Sequence, residues 1–194
     1  MTRATSDLKK PEPNLGFRAI TNRSTGERIE FLHDERDLVR FSWRSEPGGE
    51  VTDHVHPAQE ERFSIRAGEA HFLVDGVERV VAAGESIVVP VGARHSESNH
   101  GSVAVEGVVE LRPALASRQM HEAFAGLASE GKTTARGAPR NPLQLGATAW
   151  RFRHETRVTS PPVWIQNVVL ALLALLAWLF RVPAYRENWD SRLG

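Results

Sequence analysis

Two short blocks of the chain combine strand-like alternation with glycine and proline turns, and together they place four metal-ligating side chains at regular spacings. The first block runs from Gly48 to Gly68 and the second from Gly84 to Asn99. They read G-x5-H-x-H-x4-E-x6-G and G-x5-P-x-G-x2-H-x3-N, with every specified position filled. Short strands separated by such turns, without intervening helices, indicate an antiparallel barrel or sandwich. The four side chains are His54, His56, Glu61 and His95.

The alternation predicts that the ligands of the first block share one face. Alternate side chains of a strand point the same way, so His54 and His56 reach one side together. The run that begins at Glu61 also alternates and places this carboxylate on the same apolar face as Phe63. A carboxylate on an apolar face is costly unless it is paired or coordinated, and a cation shared with two imidazoles would remove that cost. Glu60 is a neighbouring carboxylate, but its parity points it outward.

The second block supplies a fourth ligand. A strand and turn punctuated by Gly84, Pro90 and Gly92 precede His95 and would return it to the same point. Three neutral imidazoles and one carboxylate suit Fe, Mn, Ni, Co, Cu or Zn, with coordination positions left for water or substrate. No thiolate competes, because the chain contains no cysteine.

The two blocks together resemble the two motifs of the cupin superfamily. The resemblance implies a mainly β fold, a double-stranded β-helix (jelly-roll) barrel with a C-terminal α-helical extension, and one divalent metal held by the four side chains. The phrases Gly131-Lys132-Thr133 and Asn141-Pro142-Leu143 resemble the tail of small single-domain bacterial cupins without an assigned activity.

The remaining patterns divide the chain into five segments. Asp75-Gly76 predicts a hairpin turn, and helical spacing predicts helices over Leu115 to Ala128 and from Leu143 to about His154. The expected segments are a flexible N-terminal tail (1–20), the cupin barrel (21–113), a helical extension (114–160), a strongly apolar helix (161–182) and a polar C-terminal tail (183–194).

The apolar helix leaves two placements open. Val168 to Phe180 is apolar without interruption and would be about 20 Å long, or about 27 Å counted from Val163, against a bilayer core of about 30 Å. Trp164 and Trp178 would sit at the two interfaces of a membrane segment over 163–181. Arginines before this segment would keep the barrel on the cytoplasmic face. The alternative is a helix buried against the barrel or in a homodimer interface.

Composition excludes some partners. The 24 basic and 24 acidic residues cancel, so nothing indicates a nucleic-acid footprint, and absent cysteine is compatible with a reducing cytoplasm.

Three classes of function fit the resemblance. The first is a metal-dependent dioxygenase acting on a small oxygen-rich organic substrate, with Glu61 as catalytic base and an apolar pocket wall. The second is a metal-dependent isomerase or epimerase, and the third is a non-catalytic small-molecule-binding or sensing module, tethered to a membrane by the apolar helix. The expected pocket residues are Phe41, Trp43, Phe63 and Phe72.

Overall fold

A computed structural model of the protein describes residues 16–192, so most of the predicted N-terminal tail lies outside the described residues. The strands are Ile20–Asn22 (β1), Glu27–Glu35 (β2), Leu38–Ser45 (β3), Glu50–Val55 (β4), Glu60–Ala67 (β5), Glu69–Val74 (β6), Val77–Ala82 (β7), Ser86–Val89 (β8), Arg94–Ser98 (β9), Val105–Arg112 (β10) and Arg157–Val158 (β11). The helices are Ser117–Ser129 (α1), Pro142–Arg151 (α2), Val163–Leu179 (α3) and a short 3-10 turn, Glu187–Trp189.

The strands form two antiparallel sheets. One has six strands in the order β1-β2-β3-β10-β5-β8, and the other has five in the order β11-β4-β9-β6-β7. The strand pairs of the described chain are antiparallel, and the two sheets are not hydrogen-bonded into a closed barrel. The predicted mainly β, double-stranded β-helix architecture with C-terminal helices is confirmed.

The two sheets enclose one apolar core because their strands alternate. Phe41 of β3 and Phe63 of β5 come from the first sheet, and Phe72 of β6 comes from the second; each is 2% exposed. The β6–β7 hairpin turns at Asp75 and Gly76, whose φ angles of 48° and 79° are positive, as this type of turn requires. The hairpin predicted from Asp75-Gly76 is therefore present.

Helix α1, Phe152 directly after α2 and Trp189 build a second, smaller core beside the sheets. Asn141 caps α2, because its side-chain oxygen accepts from Leu143 N at 2.8 Å. Residues 183–192, which the sequence predicts as part of a polar tail, lie on α1. Trp189 is 5% exposed there, and it packs so closely on Gly126 that a Cβ at that glycine would approach the indole ring to 2.4 Å.

The apolar run forms α3; the structure contradicts both the expected membrane span and burial against the barrel, whereas burial in a homodimer interface stays a prediction. No helix within residues 16–192 is long and apolar enough to cross a membrane, which corrects the expected transmembrane segment. Nor is α3 buried against the rest of its own chain: only Gln166 and Ala177 of its 17 residues are buried. Trp164 and Trp178 are 69% and 75% exposed.

Candidate metal centre

The four predicted ligands meet between the two sheets. His54 lies on β4 opposite His95 of β9, and His56 follows β4 directly. Glu61 comes from β5 of the other sheet. His56, Glu61 and His95 are buried, while His54 is half-buried. The sheet packing therefore brings three imidazoles and one carboxylate to a common centre.

The distances between the ligand atoms suit one small cation. The Nε2 atoms of His54 and His56 are 3.3 Å apart, and Glu61 Oε2 lies 3.3 Å from His56 Nε2 and 3.0 Å from His95 Nε2. One ligand atom from each of the four residues can be chosen so that all lie within 4.8 Å of one another. Metal–ligand bonds of about 2.1 Å put neighbouring ligand atoms about 3.0 Å apart in an octahedron and about 3.4 Å apart in a tetrahedron. The observed spacings fall in this range.

Hydrogen bonds from Nδ1 to backbone carbonyls orient all three imidazoles, with Nε2 directed toward the centre of the cluster. The Nδ1 atoms of His54, His56 and His95 lie 2.9, 2.5 and 3.0 Å from the carbonyl oxygens of Thr52, Glu155 and Ala93. A carbonyl can only accept, so each Nδ1 carries the hydrogen, and each Nε2 of a neutral ring presents a lone pair. Four acceptor atoms thus face one another with no donor between them, an arrangement that a cation or a proton must satisfy.

The pKa shifts in this cluster favour a neutral His54 and an ionised Glu61, which are the forms that bind a cation. Burial, reinforced by His95 and His56, lowers the pKa of His54 to about 3, so its imidazole is neutral at ordinary pH. Burial alone would raise the pKa of Glu61, but the neighbouring His56 and His95 outweigh it and hold that pKa well below its usual range. Burial also opposes protonation of His56, yet the adjacent Glu61 carboxylate raises its pKa. A proton on His56 is therefore the natural competitor of a metal.

Two polar groups near the cluster were missed by the sequence analysis. Glu97 lies two residues beyond His95 on β9, is 6% exposed and has an Oε2 atom without a hydrogen-bond partner among the described residues. Burial and the charges of Glu61 and Glu27 raise the pKa of Glu97 well above its ordinary value. The period of two that pairs Glu97 with His95 on one face was the signal that could have found it.

The second missed group is His121 of α1. Its ring lies 4.9 Å from the ring of Phe41, and its Nε2 atom is buried without a hydrogen-bond partner in residues 16–192. Burial lowers the pKa of His121 to about 4. The charge of Glu61 partly opposes this shift, and that of His56 adds to it. No sequence signal marks this residue, because it reaches the interior only through the packing of α1 on the sheets.

The four predicted pocket residues lie together in the core. Ring centroids are 5.6 Å apart for Trp43 and Phe63 and 4.8 Å apart for Phe63 and Phe72. Phe41 contacts Phe31 at 5.7 Å. These rings pack edge to face, so contact with a substrate stays a prediction for all four.

Comparison with known proteins identifies the family. Residues 41–109 match the family model described as a cupin domain. A mannose-1-phosphate guanylyltransferase of Salmonella montevideo is 32% identical over 66 residues, which are 34% of this chain and 14% of that protein. Protein SchB of Streptomyces halstedii is 31% identical over 67 residues, 34% of this chain and 49% of that protein.

Among solved structures, an RmlC-like cupin from Shewanella frigidimarina is 24% identical, with 50% of this chain and 86% of that chain covered and a TM-score of 0.46. The chain spans less than half the length of the two curated relatives it matches. Residues 41–109 are therefore a cupin domain.

Proposed function

We propose that this cupin binds one divalent transition metal through His54, His56, Glu61 and His95 and is a metal-dependent dioxygenase of small, oxygen-rich organic molecules. The main support for metal binding is that four acceptor atoms face one another. Three contacts of 3.0 to 3.3 Å link these atoms, and none of them is a donor. Fe, Mn, Ni, Co, Cu and Zn all suit three imidazoles and a carboxylate.

The bound metal would supply Lewis-acid activation and, where it is redox-active, electron exchange with O2. The protein's own residues would hold and orient the reactants. The backbone carbonyls on the three Nδ1 atoms keep the imidazoles in the ligating orientation. Glu61 is the proposed catalytic base, because among the described residues it is the one carboxylate in direct contact with the three histidines of the cluster. The half-buried His54 marks the side from which a ligand would approach.

Elemental analysis of the purified protein tests the metal site. We expect about one transition-metal ion per chain, since four ligands from one chain complete a single site. His54→Ala/His56→Ala should lose nearly all of it. The matched control is His71→Ala, which removes a half-buried histidine of β6 outside the cluster. An unchanged metal content in the double variant would overturn the assignment.

Oxygen uptake tests the dioxygenase proposal. Metal-stripped protein would be reloaded separately with Fe(II), Mn(II) or Ni(II) and offered polyphenols and 1,3-diketones. We expect oxygen consumption with at least one metal and none with the His54→Ala/His56→Ala variant. Silence with every metal would contradict the dioxygenase and leave the ligand-binding module as the function of the same site.

A metal-dependent isomerase or epimerase is the second candidate, favoured by Glu97 and His121. These two proton-carrying groups lie near the cluster with buried atoms that have no partner in the described chain. A reaction that moves a proton next to a metal-polarised carbonyl needs such groups. Its test is deuterium incorporation from D2O into hydroxy-carbonyl compounds, followed by NMR. We expect Glu97→Gln to keep its metal and lose the exchange, and exchange at the unchanged rate would exclude Glu97.

A further inference from the structure

The exposed side of α3 is a continuous apolar stripe. Each member lies three or four residues from another member, so they stack along one side of the helix. Trp164 is 69% exposed, Leu172 is 59% exposed and Trp178 is 75% exposed. Contiguous apolar surface of this kind marks an interaction site. The stripe consists of Trp164, Val168, Leu172, Leu175, Trp178 and Leu179.

The opposite side of α3 is fixed to the protein, so the stripe is a permanent feature. A Cβ at Gly146 of α2 would approach Leu173 Cβ to 2.3 Å, which means the two helices touch where α2 has no side chain. Gln166 donates to the carbonyl oxygens of Val158 and Pro161 at 3.0 and 2.6 Å. These contacts orient α3 with the stripe facing away from α2.

The charged residues of the chain segment that contains α3 are all basic. No Asp or Glu occurs between Glu155 and Glu187, and this stretch contains three arginines. Arg157 lies before α3, where it donates to Asn167 Oδ1 at 2.9 Å, and the exposed Arg181 follows the helix. The two exposed tryptophans stand 14 residues, or about 21 Å, apart along the helix. Amphipathic indoles and arginines at both ends of an apolar stripe match the layered chemistry of a lipid headgroup region.

A second copy of the chain fits this surface less well. Two α3 helices packed along their stripes, in either direction, would bring arginine-bearing ends against each other, and like charges in an interface are unfavourable. An anionic headgroup layer provides the opposite charge at both ends. We propose that α3 lies in the surface of an anionic phospholipid membrane, parallel to its plane, with the stripe in the acyl boundary and the arginines among the headgroups. This inference does not depend on the metal site.

Vesicle co-sedimentation of the full chain tests the proposal. We expect binding to phosphatidylcholine–phosphatidylglycerol vesicles, weaker binding to pure phosphatidylcholine, and a loss of binding as salt rises. Leu172→Gln/Leu175→Gln should reduce the partition constant roughly tenfold or more, because it removes two apolar side chains from the buried stripe. Arg181→Gln should weaken binding to the anionic vesicles only.

The control exchanges exposed apolar residues elsewhere. Leu73→Gln/Val80→Gln alters side chains of β6 and β7 that are 37% and 51% exposed, and it should bind vesicles as the unaltered chain does. Matching circular dichroism melts would show that both variants fold. Equal sedimentation of the stripe variant and the control would overturn the proposal. A second result would also overturn it: the unaltered chain does not bind vesicles, and light scattering shows a dimer that the stripe variant has lost. That result would assign the stripe to self-association.

Discussion

At the scale of single residues, the candidate site depends on the Nδ1 atoms of its histidines, which point away from the centre of the cluster. Each imidazole is oriented by a backbone carbonyl, and the carbonyl for His56 belongs to Glu155, which is 99 residues away. The spacing of the four ligand residues is readable from sequence, because the period of two and the turn glycines set the faces on which they lie. The Glu155 carbonyl and His121 could not be predicted, since no local pattern specifies which distant segment closes the site.

Glu97 provides a pH-dependent test at this scale. Burial raises its pKa in the folded, metal-free protein above the value in the unfolded chain. The folded state therefore holds this proton more tightly, and its contribution to stability is present at low pH and lost as pH rises through the folded pKa. We expect Glu97→Gln to unfold at higher urea concentration than the unaltered chain on the alkaline side, with the difference shrinking on the acid side.

Glu69→Gln is the control for this comparison, because Glu69 is an exposed carboxylate on β6. Urea unfolding of the metal-free forms across the pH range measures the effect. A constant difference between Glu97→Gln and the unaltered chain at every pH would show that the Glu97 proton is not held by the fold.

At the scale of elements, the long alternating strands and the periodic helices were predictable, and the shortest strands were not. Val39, Phe41 and Trp43 alternate with a period of two, a pattern that predicts a strand, and they lie on β3. β1 has three residues and β11 has two, too few to show a period. β11 forms because the chain after α2 returns along β4, where Val158 is paired with His54.

A buried ion-pair network joins α1 to the first sheet. Arg118 donates to Asp34 of β2 and to Glu122, both at 2.6 Å. Glu122 also accepts from Tyr185 and Ser191 of the C-terminal segment at 2.6 and 2.5 Å. The side chain of Glu122 is fully buried and that of Arg118 is 8% exposed, so solvent screens the pair little.

Glu122→Ala should lower the free energy of unfolding by about 3–5 kcal/mol, because it removes one of three carboxylates around the buried Arg118 and takes the acceptor from Tyr185 and Ser191. Tyr185→Phe is the graded comparison: it removes one hydrogen bond from Glu122 and should cost about 1 kcal/mol. Urea denaturation of the three proteins measures both losses. A cost for Glu122→Ala no larger than that for Tyr185→Phe would mean that the network contributes little.

At the scale of the whole molecule, the helical extension takes part in the site. It supplies the Glu155 carbonyl on His56, His121 beside Phe41, and β11 along β4. Only four residues separate β11 from α3. The proposed membrane-facing helix and the open side of the candidate metal site are therefore close in the chain, and a lipid surface at α3 would hold the site near that surface.

This connection predicts that metal binding slows hydrogen exchange in the helical extension. A bound metal fixes His56, whose Nδ1 hydrogen bond holds the carbonyl of Glu155 in the segment between α2 and β11. Saturation at a hundred times Kd should stabilise the folded chain by about 2.7 kcal/mol. Hydrogen exchange read by mass spectrometry should therefore slow in residues 152–158 as well as in β4 and β9 when metal is added to stripped protein. The His54→Ala/His56→Ala variant should show neither change. Slower exchange confined to β4 and β9 would separate the extension from the metal centre, and the role assigned to the Glu155 carbonyl would then be wrong.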